Sequence, residues 1–165
     1  ERLFVAGLLR DIGHLVMYQS IPEESTEALL YSQVESRMLH EVERDVLGFD
    51  FAQLGGALLK QWGLPEGLCE SVRRHISPGQ STDYALEASI VHLAGVLSDV
   101  GQTGEDVTEY CESHVDPFAW ATTGLTPAQC VAIQAEVESQ LDDVMFLIFP
   151  GSKTAHAGSR LAIGL

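Results

Sequence analysis

The sequence predicts an all-α protein, and three observations support this. Apolar residues recur at intervals of three and four along most of the 165 residues, which is the helical period. Several of these stripes begin at a capping residue or a proline and end at a glycine. Apolar triplets such as Leu147 to Phe149 do not alternate with polar residues, so no strand is predicted. We expect a bundle of about seven helices.

The first helical pattern covers residues 2–18 and is predicted to form one amphipathic helix. Its apolar stripe consists of Val5, Leu8, Ile12 and Leu15. The pattern is already present at Glu1 without a capping residue, so we expect further helices of the domain before this position. Pro22 is expected to open a short helix that continues through Leu30.

A second group of helices is predicted in the centre of the chain. The first has apolar residues four positions apart, at Val34, Met38, Val42 and Val46. This stripe ends at Gly48, a plausible C-terminal stop. Asp50, with Gln53 three residues later, has the pattern of a capping box. Gly55 and Gly56 inside the following helix weaken helix propensity, so they predict a close approach of another helix.

Pro65 is predicted in the first turn of a helix that reaches His75. The clearest stripe follows, from Asp83 to Gly101. Thr126, with Gln129 in the capping-box position, opens the last helix. We therefore expect helices to occupy most of the second half of the chain.

The chain length fits one domain of roughly 100–200 residues. Residues from Pro150 onward are rich in Gly, Ala and Ser, which is typical of a loose segment. We expect a single helical domain at residues 1–149, the C-terminal part of a larger domain, and a loose tail at residues 150–165.

The charge is strongly acidic, with 24 Asp and Glu against 9 Lys and Arg and a net charge of −15. No Lys or Arg lies between His75 and Ser152. Because nucleic acids are bound through Lys and Arg, this composition argues against a nucleic-acid partner. No basic leader and no apolar run of roughly 18 residues occurs, so we expect a cytoplasmic protein without a membrane partner.

The three cysteines, Cys69, Cys111 and Cys130, form no CxxC pair. A disulfide framework or a zinc ribbon is therefore not predicted, and reduced, buried thiols are expected.

Three blocks combine polar residues with helical apolar patterns. The first is LLRDIGHL at Leu8–Leu15, and the second extends from Leu47 to Pro78. The third is SIVHLAGVL at Ser89–Leu97. In order and spacing these blocks resemble the HDOD domain, a bacterial signalling-output relative of the HD phosphohydrolases. The resemblance extends from Glu1 to about Ser98, and it implies an HD-domain-like helical bundle.

The departures from the HD pattern bear on catalysis. The resemblance implies that an active HD phosphohydrolase holds divalent metal through a His, a His-Asp doublet and a later Asp. Here Arg10 replaces the doublet's His and leaves Asp11, and Gly95 replaces the later Asp. Phe51 stands where the second block has a His, and a final His doublet is reduced to His75 followed by Ile76. An arginine has no acceptor lone pair and repels a cation, so the sequence predicts no metal, no cofactor and no enzyme activity.

The residues of the remnant site have two interpretations. They are structural helix residues, or they form an anion site in the old metal pocket, where Arg10, Arg73 and Arg74 would converge. The candidate residues are Arg10, Asp11, His14, Arg73, Arg74 and His75.

The function predicted by the resemblance is that of a catalytically silent regulatory or interaction module in bacterial signal transduction. Its expected partners are other signalling proteins or attached signalling domains, with homo-oligomers as a further possibility. Two alternatives remain open. One is a divergent metal-dependent phosphodiesterase that uses Asp11, His14, His75 and His92, and the other is a sensor that binds a nucleotide or another small molecule.

Overall fold

The computed structural model describes residues 1–148, apart from the side chains of Gln102, Asp142, Asp143, Met145 and Phe146. Over these residues the chain is all-α, which confirms the predicted fold class. The predicted tail at residues 150–165 lies outside the described residues. The helices of the first half are α1 (Arg2–Leu9), α2 (Ile12–Ser20), α3 (Pro22–Glu35), α4 (Leu39–Leu47), α5 (Phe51–Gln61) and α6 (Glu66–Arg74).

A short 3₁₀ turn at Pro78–Gln80 leads into the second half. Its helices are α7 (Ala85–Thr103), α8 (Val107–His114), α9 (Pro117–Thr123) and α10 (Pro127–Ile148). The described residues thus contain ten α-helices, more than the seven expected, because the first predicted helix is divided in two and the segment after α7 forms both α8 and α9. No described helix is long and apolar enough to cross a membrane.

The predicted single helix at residues 2–18 is wrong, because the chain bends between α1 and α2 at Arg10 and Asp11. The buried positions of these helices are Ala6, Gly13 and Met17, whereas Leu8 of the predicted apolar stripe is 70% exposed. After the bend, Gly13 and Met17 of α2 are buried, whereas Leu15 of the predicted stripe is 66% exposed. Nothing in the local sequence indicates the bend at Arg10 and Asp11, since neither residue is a proline or a glycine.

A second interruption separates α3 from α4. Ser36 adopts a left-handed conformation, with φ at 52°. Arg37 then pairs with Glu35 and Asp45, at 3.2 and 2.8 Å. The helix α4 ends as predicted at Gly48, whose φ of 81° favours glycine.

The helix α5 begins with the predicted capping box. The Asp50 side chain accepts a hydrogen bond from the Gln53 backbone N–H at 2.8 Å, and the Gln53 side chain accepts from the Asp50 N–H at 3.2 Å. Gly55 and Gly56 inside this helix are fully buried among other helices, as their positions in the sequence suggested. A Cβ atom at Gly56 would lie 3.0 Å from the Cα of Arg73 in α6.

The closest contact of α2 with α5 is at Gly13. A Cβ atom added at Gly13 would overlap the Phe51 carbonyl oxygen and lie 3.1 Å from the Gly55 nitrogen. Because these are backbone atoms, they cannot move aside without shifting a helix. Glycine at this position therefore sets the distance between α2 and α5.

Two apolar clusters meet along α7. Val91 packs with Leu59, Val72 and the other members of an N-terminal cluster. Two turns of α7 further on, Leu97 belongs to a C-terminal cluster with residues of α8, α9 and α10. The three cysteines are buried and free, as expected from their spacing.

Capping residues fix the ends of the later helices. Asp106 and Asp116 accept backbone hydrogen bonds at the starts of α8 and α9, at 3.1 and 2.8 Å. At the start of α10, Thr126 and Gln129 form the predicted reciprocal pair.

We expect the Gly13→Ala substitution to lower the free energy of unfolding by about 1–3 kcal/mol, because the added methyl group must separate two helices. The matched control is Gly7→Ala in α1, where an added Cβ meets no atom within 4 Å. That change should be neutral or stabilise by up to about 1 kcal/mol, since alanine is the better helix former. Urea denaturation measures both, and equal effects of the two substitutions would contradict the packing role of Gly13.

Candidate functional site

A cavity of about 580 Å³ lies where the two halves of the bundle meet. Its lining comes from the end of α1 and from α2, α4, α5, α7 and α8, together with the segment after α6. Apolar side chains such as Met38 and Val96 share the wall with charged and aromatic ones. The five histidines of the described residues all line this cavity, namely His14, His40, His75, His92 and His114.

Arg10 lies at the bend between α1 and α2 and extends along the cavity wall. Its side chain is 16% exposed and forms a forked pair with Asp11, in which Nη2 lies 2.9 Å from Oδ2. The Arg10 Nε atom also donates to both Asp11 oxygens, at 3.1 and 3.2 Å. A second carboxylate, Asp99, lies 3.7 Å from Arg10 Nη2. The cation is thus held between carboxylates of two helical segments.

The space that Arg10 occupies exists because residue 95 is glycine. A Cβ atom at Gly95 would overlap the Arg10 Nη1 atom and lie 3.4 Å from Arg10 Cζ. The two departures identified in the sequence, Arg10 and Gly95, are therefore in direct contact. One large residue fills the volume that the other leaves open.

His14 is held by a buried carboxylate that sequence reasoning missed. Its Nε2 donates to Glu43 Oε1 at 3.0 Å, and Glu43 Oε2 accepts from the Phe51 backbone N–H at 3.0 Å. Glu43 is 1% exposed. It occupies a mixed polar and apolar stretch of α4, and no motif or local signal there indicates burial.

Phe51 contributes packing at the position where the family pattern has a histidine. Its ring stacks on His14, with centroids 3.8 Å apart, and meets His75 edge-on at 5.6 Å. The phenyl ring has no lone pair to offer a metal. It joins the two histidines into one packed aromatic group.

His75 is buried, with 5% of its surface exposed. Its Nδ1 lies 2.6 Å from the Val72 carbonyl oxygen, which can only accept, so Nδ1 carries the proton. Burial, together with the smaller effect of the nearby Arg10 cation, lowers the pKa of His75 to about 4, although the Val72 hydrogen bond acts in the opposite direction. His75 is therefore neutral near pH 7.

His92 uses both ring nitrogens to connect helices. Its Nδ1 donates to the His75 carbonyl oxygen at 2.8 Å, and its Nε2 accepts the Asp116 backbone N–H at 2.9 Å. Burial lowers the pKa of His92, so this neutral tautomer persists at neutral pH. His92 thereby ties α7 to the end of α6 and to the start of α9.

The structure corrects the predicted convergence of three arginines on one pocket. Arg73 and Arg74 do not line the cavity that contains Arg10, Asp11, His14 and His75. They line a separate cavity of about 210 Å³. Arg73, Arg74 and His75 are consecutive, and consecutive residues point to different sides of a helix. Arg73 faces Gly56 of α5, whereas His75 faces the first cavity.

The residues around the first cavity do not fit a divalent metal of the HD type. Arg10 places a permanent cation at a ligand position, and Phe51 and Gly95 carry no donor atom. Asp11 accepts hydrogen bonds from Arg10, and both nitrogens of His92 are engaged. Among the described residues, no group of three or more His, Cys, Asp and Glu is arranged to hold a metal ion.

The buried histidines predict acid sensitivity. A histidine whose pKa is lowered by folding is neutral in the folded and the unfolded state above about pH 6.5. Below that value it binds a proton in the unfolded state but stays neutral in the folded state. Stability should therefore fall on acidification, for His75 by about 1.4 kcal/mol per pH unit and about 3 kcal/mol in total. Urea denaturation between about pH 7 and 5 measures the slope.

The His75→Gln variant tests the origin of this loss. Its stability should depend less steeply on pH than that of the wild type, because one buried titrating ring has been removed. An identical slope in both proteins would show that burial of His75 does not cause the acid sensitivity.

Comparison with known families gives one match. The family model of the HDOD domain matches residues 1–78, which include the first two sequence blocks and end before the third. No curated protein and no solved structure matches the chain. The match confirms the resemblance drawn from the first two sequence blocks, and over residues 1–78 the chain matches the HDOD domain.

Proposed function

We propose that this domain is a catalytically silent HDOD-type regulatory and interaction module in bacterial signal transduction. The match to a signalling-associated, HD-related domain supports the signalling role. The observation that carries the catalytic part of the proposal is the contact between Arg10 and Gly95. It replaces two expected metal ligands with a cation and a residue without a side chain.

The chemistry of phosphoester hydrolysis explains why this contact matters. In an HD phosphohydrolase the metal polarises the phosphoryl oxygen and lowers the pKa of a bound water. The guanidinium of Arg10 repels a divalent ion, and its forked pair with Asp11 occupies the remaining carboxylate of the doublet. His92 is engaged at both ring nitrogens, so of these two histidines only His75, through Nε2, keeps a nitrogen to offer, and one nitrogen does not complete a metal's coordination shell. These contacts support the proposal that the first cavity is the remnant of a catalytic site.

Exposed apolar side chains support the interaction role. Phe4 and Leu8 lie one turn apart on α1 and are 71% and 70% exposed. Val34 near the end of α3 is 82% exposed. Patches of large, solvent-exposed apolar side chains often mark the sites where another protein binds.

A second candidate function, small-molecule sensing, is supported by the size of the first cavity. Its volume of about 580 Å³ is within the range of ligand pockets, and its wall combines apolar residues with a few polar groups. Native mass spectrometry of the purified protein separates the two proposals. A co-purifying small molecule of defined mass would favour the sensor, whereas a mass equal to that of the chain alone would favour the interaction module.

We expect the protein purified without chelators to contain no stoichiometric Mn, Fe, Ni or Zn, because Arg10 excludes the ion. It should also lack phosphodiesterase activity on bis(p-nitrophenyl) phosphate when these metals are added. Elemental analysis and a colorimetric assay measure the two properties. Stoichiometric metal together with hydrolysis would contradict catalytic silence.

The Arg10→His, Phe51→His, Gly95→Asp triple variant is the matched control. It restores three donors at the positions where the family pattern has them, and it should bind Mn²⁺ more tightly than the wild type in a calorimetric titration. Equal, weak binding by a folded triple variant would show that these three residues are not what excludes the metal.

A further inference from the structure

The second cavity is lined by three of the nine basic residues of an otherwise acidic chain. We call it the arginine cleft. It lies between the end of α4, the start of α5, the end of α6 and the 3₁₀ turn, and it measures about 210 Å³. It is lined by Arg44, Asp50, Gln53, Arg73, Arg74, Ile76, Ser77 and Gln80.

Two carboxylates lie near these cations, and both already form hydrogen bonds or ion pairs within the protein. Asp50 is 1% exposed, caps α5 through Gln53 and pairs with Arg44 Nε at 2.5 Å. Glu70 lies outside the cleft lining, 3.7 Å from Arg73 and 3.5 Å from Arg74. Three guanidinium groups thus face two carboxylates, and the cleft keeps a positive excess in a chain of net charge −15.

The guanidinium groups retain donors that no described residue accepts. Arg44 uses Nε for Asp50, which leaves both of its Nη atoms, and Arg73 makes no hydrogen bond to the described residues. Arg74 donates through Nη1 to Gln80 at 2.9 Å. Its Nε atom is buried and forms only the ion pair with Glu70 Oε2 at 3.5 Å, so it is not one of the open donors.

The backbone holds these groups in place. Gly56 allows α6 to approach α5 so closely that a Cβ there would overlap the Arg73 Cβ. Arg44 is anchored through Asp50, whose own position is set by the capping box of α5. The Arg44 guanidinium, anchored in this way, loses little conformational freedom when an anion binds, which favours affinity.

We propose that the arginine cleft binds a phosphate dianion, either free or as the terminal group of a small phosphorylated molecule. Arginine presents paired N–H donors that match the oxygens of a phosphate, and three such groups line one cleft. The volume corresponds to about seven water molecules at about 30 Å³ each, which is enough for a five-atom oxyanion. This site is separate from the cavity at Arg10 and does not depend on whether that cavity is catalytic.

Isothermal titration calorimetry with inorganic phosphate and with adenosine monophosphate tests the proposal. The wild type should bind at least one of them with a 1:1 stoichiometry. Tighter binding of the monophosphate would identify a phosphorylated small molecule, and equal affinities would identify the phosphate group alone as the ligand. Affinity should fall as sodium chloride is raised, because the cleft is partly exposed to solvent. Absence of saturable heat up to about 10 mM of both ligands would overturn the proposal.

The Arg73→Gln, Arg74→Gln double variant should bind at least about tenfold more weakly, since it removes charge-assisted hydrogen bonds. Arg37→Gln is the matched control, because Arg37 is paired with Glu35 and Asp45 away from the cleft, and it should leave binding unchanged. Circular dichroism verifies that each variant is folded. Since Arg73 is 45% exposed, the single Arg73→Gln variant provides a second test should the double variant unfold. Unchanged affinity in folded Arg73→Gln and double variants would overturn the assignment.

Discussion

The close contact of α2, α5 and α6 determines where the side chains around the two cavities lie. At Gly13 the backbone of α2 meets the backbone of α5, and at Gly56 the backbone of α6 meets α5 from another side. A side chain at either position would force the helices apart, so the contact requires glycine at both. From this contact follow the stack of His14 on Phe51 on one side of α5 and the arginine cleft on the other.

The charged and aromatic residues of the first cavity are bound to one another and to the backbone. Arg10 fills the volume above Gly95, and its charge is balanced by Asp11 and Asp99. Burial keeps His75 and the half-buried His92 neutral near pH 7, and their ring nitrogens bind backbone groups. Arg10, Asp11, Asp99 and His92 thus have partners within the protein, while a cavity of about 580 Å³ remains beside them. His92 therefore connects the two halves of the bundle through its two hydrogen bonds.

The sequence predicted the elements whose signals are local and missed those that depend on distant contacts. The capping box at Asp50, the stop at Gly48 and the glycines of α5 were all found where they were expected. The bend at Arg10 was missed because helical periodicity continues through it, and tertiary packing overrides that pattern. The burial of Glu43 and the separation of Arg73 from Arg10 were missed for the same reason, since they depend on how helices pack.

The central claim is that Arg10 occupies the place of a metal ion. A crystal structure of the wild type soaked in millimolar Mn²⁺, with anomalous data collected at the manganese edge, tests it directly. We expect the Arg10 guanidinium to lie between Asp11 and Gly95, with no anomalous peak in the cavity. A manganese peak bound by Asp11 and a histidine, with Arg10 turned away from Gly95, would contradict it.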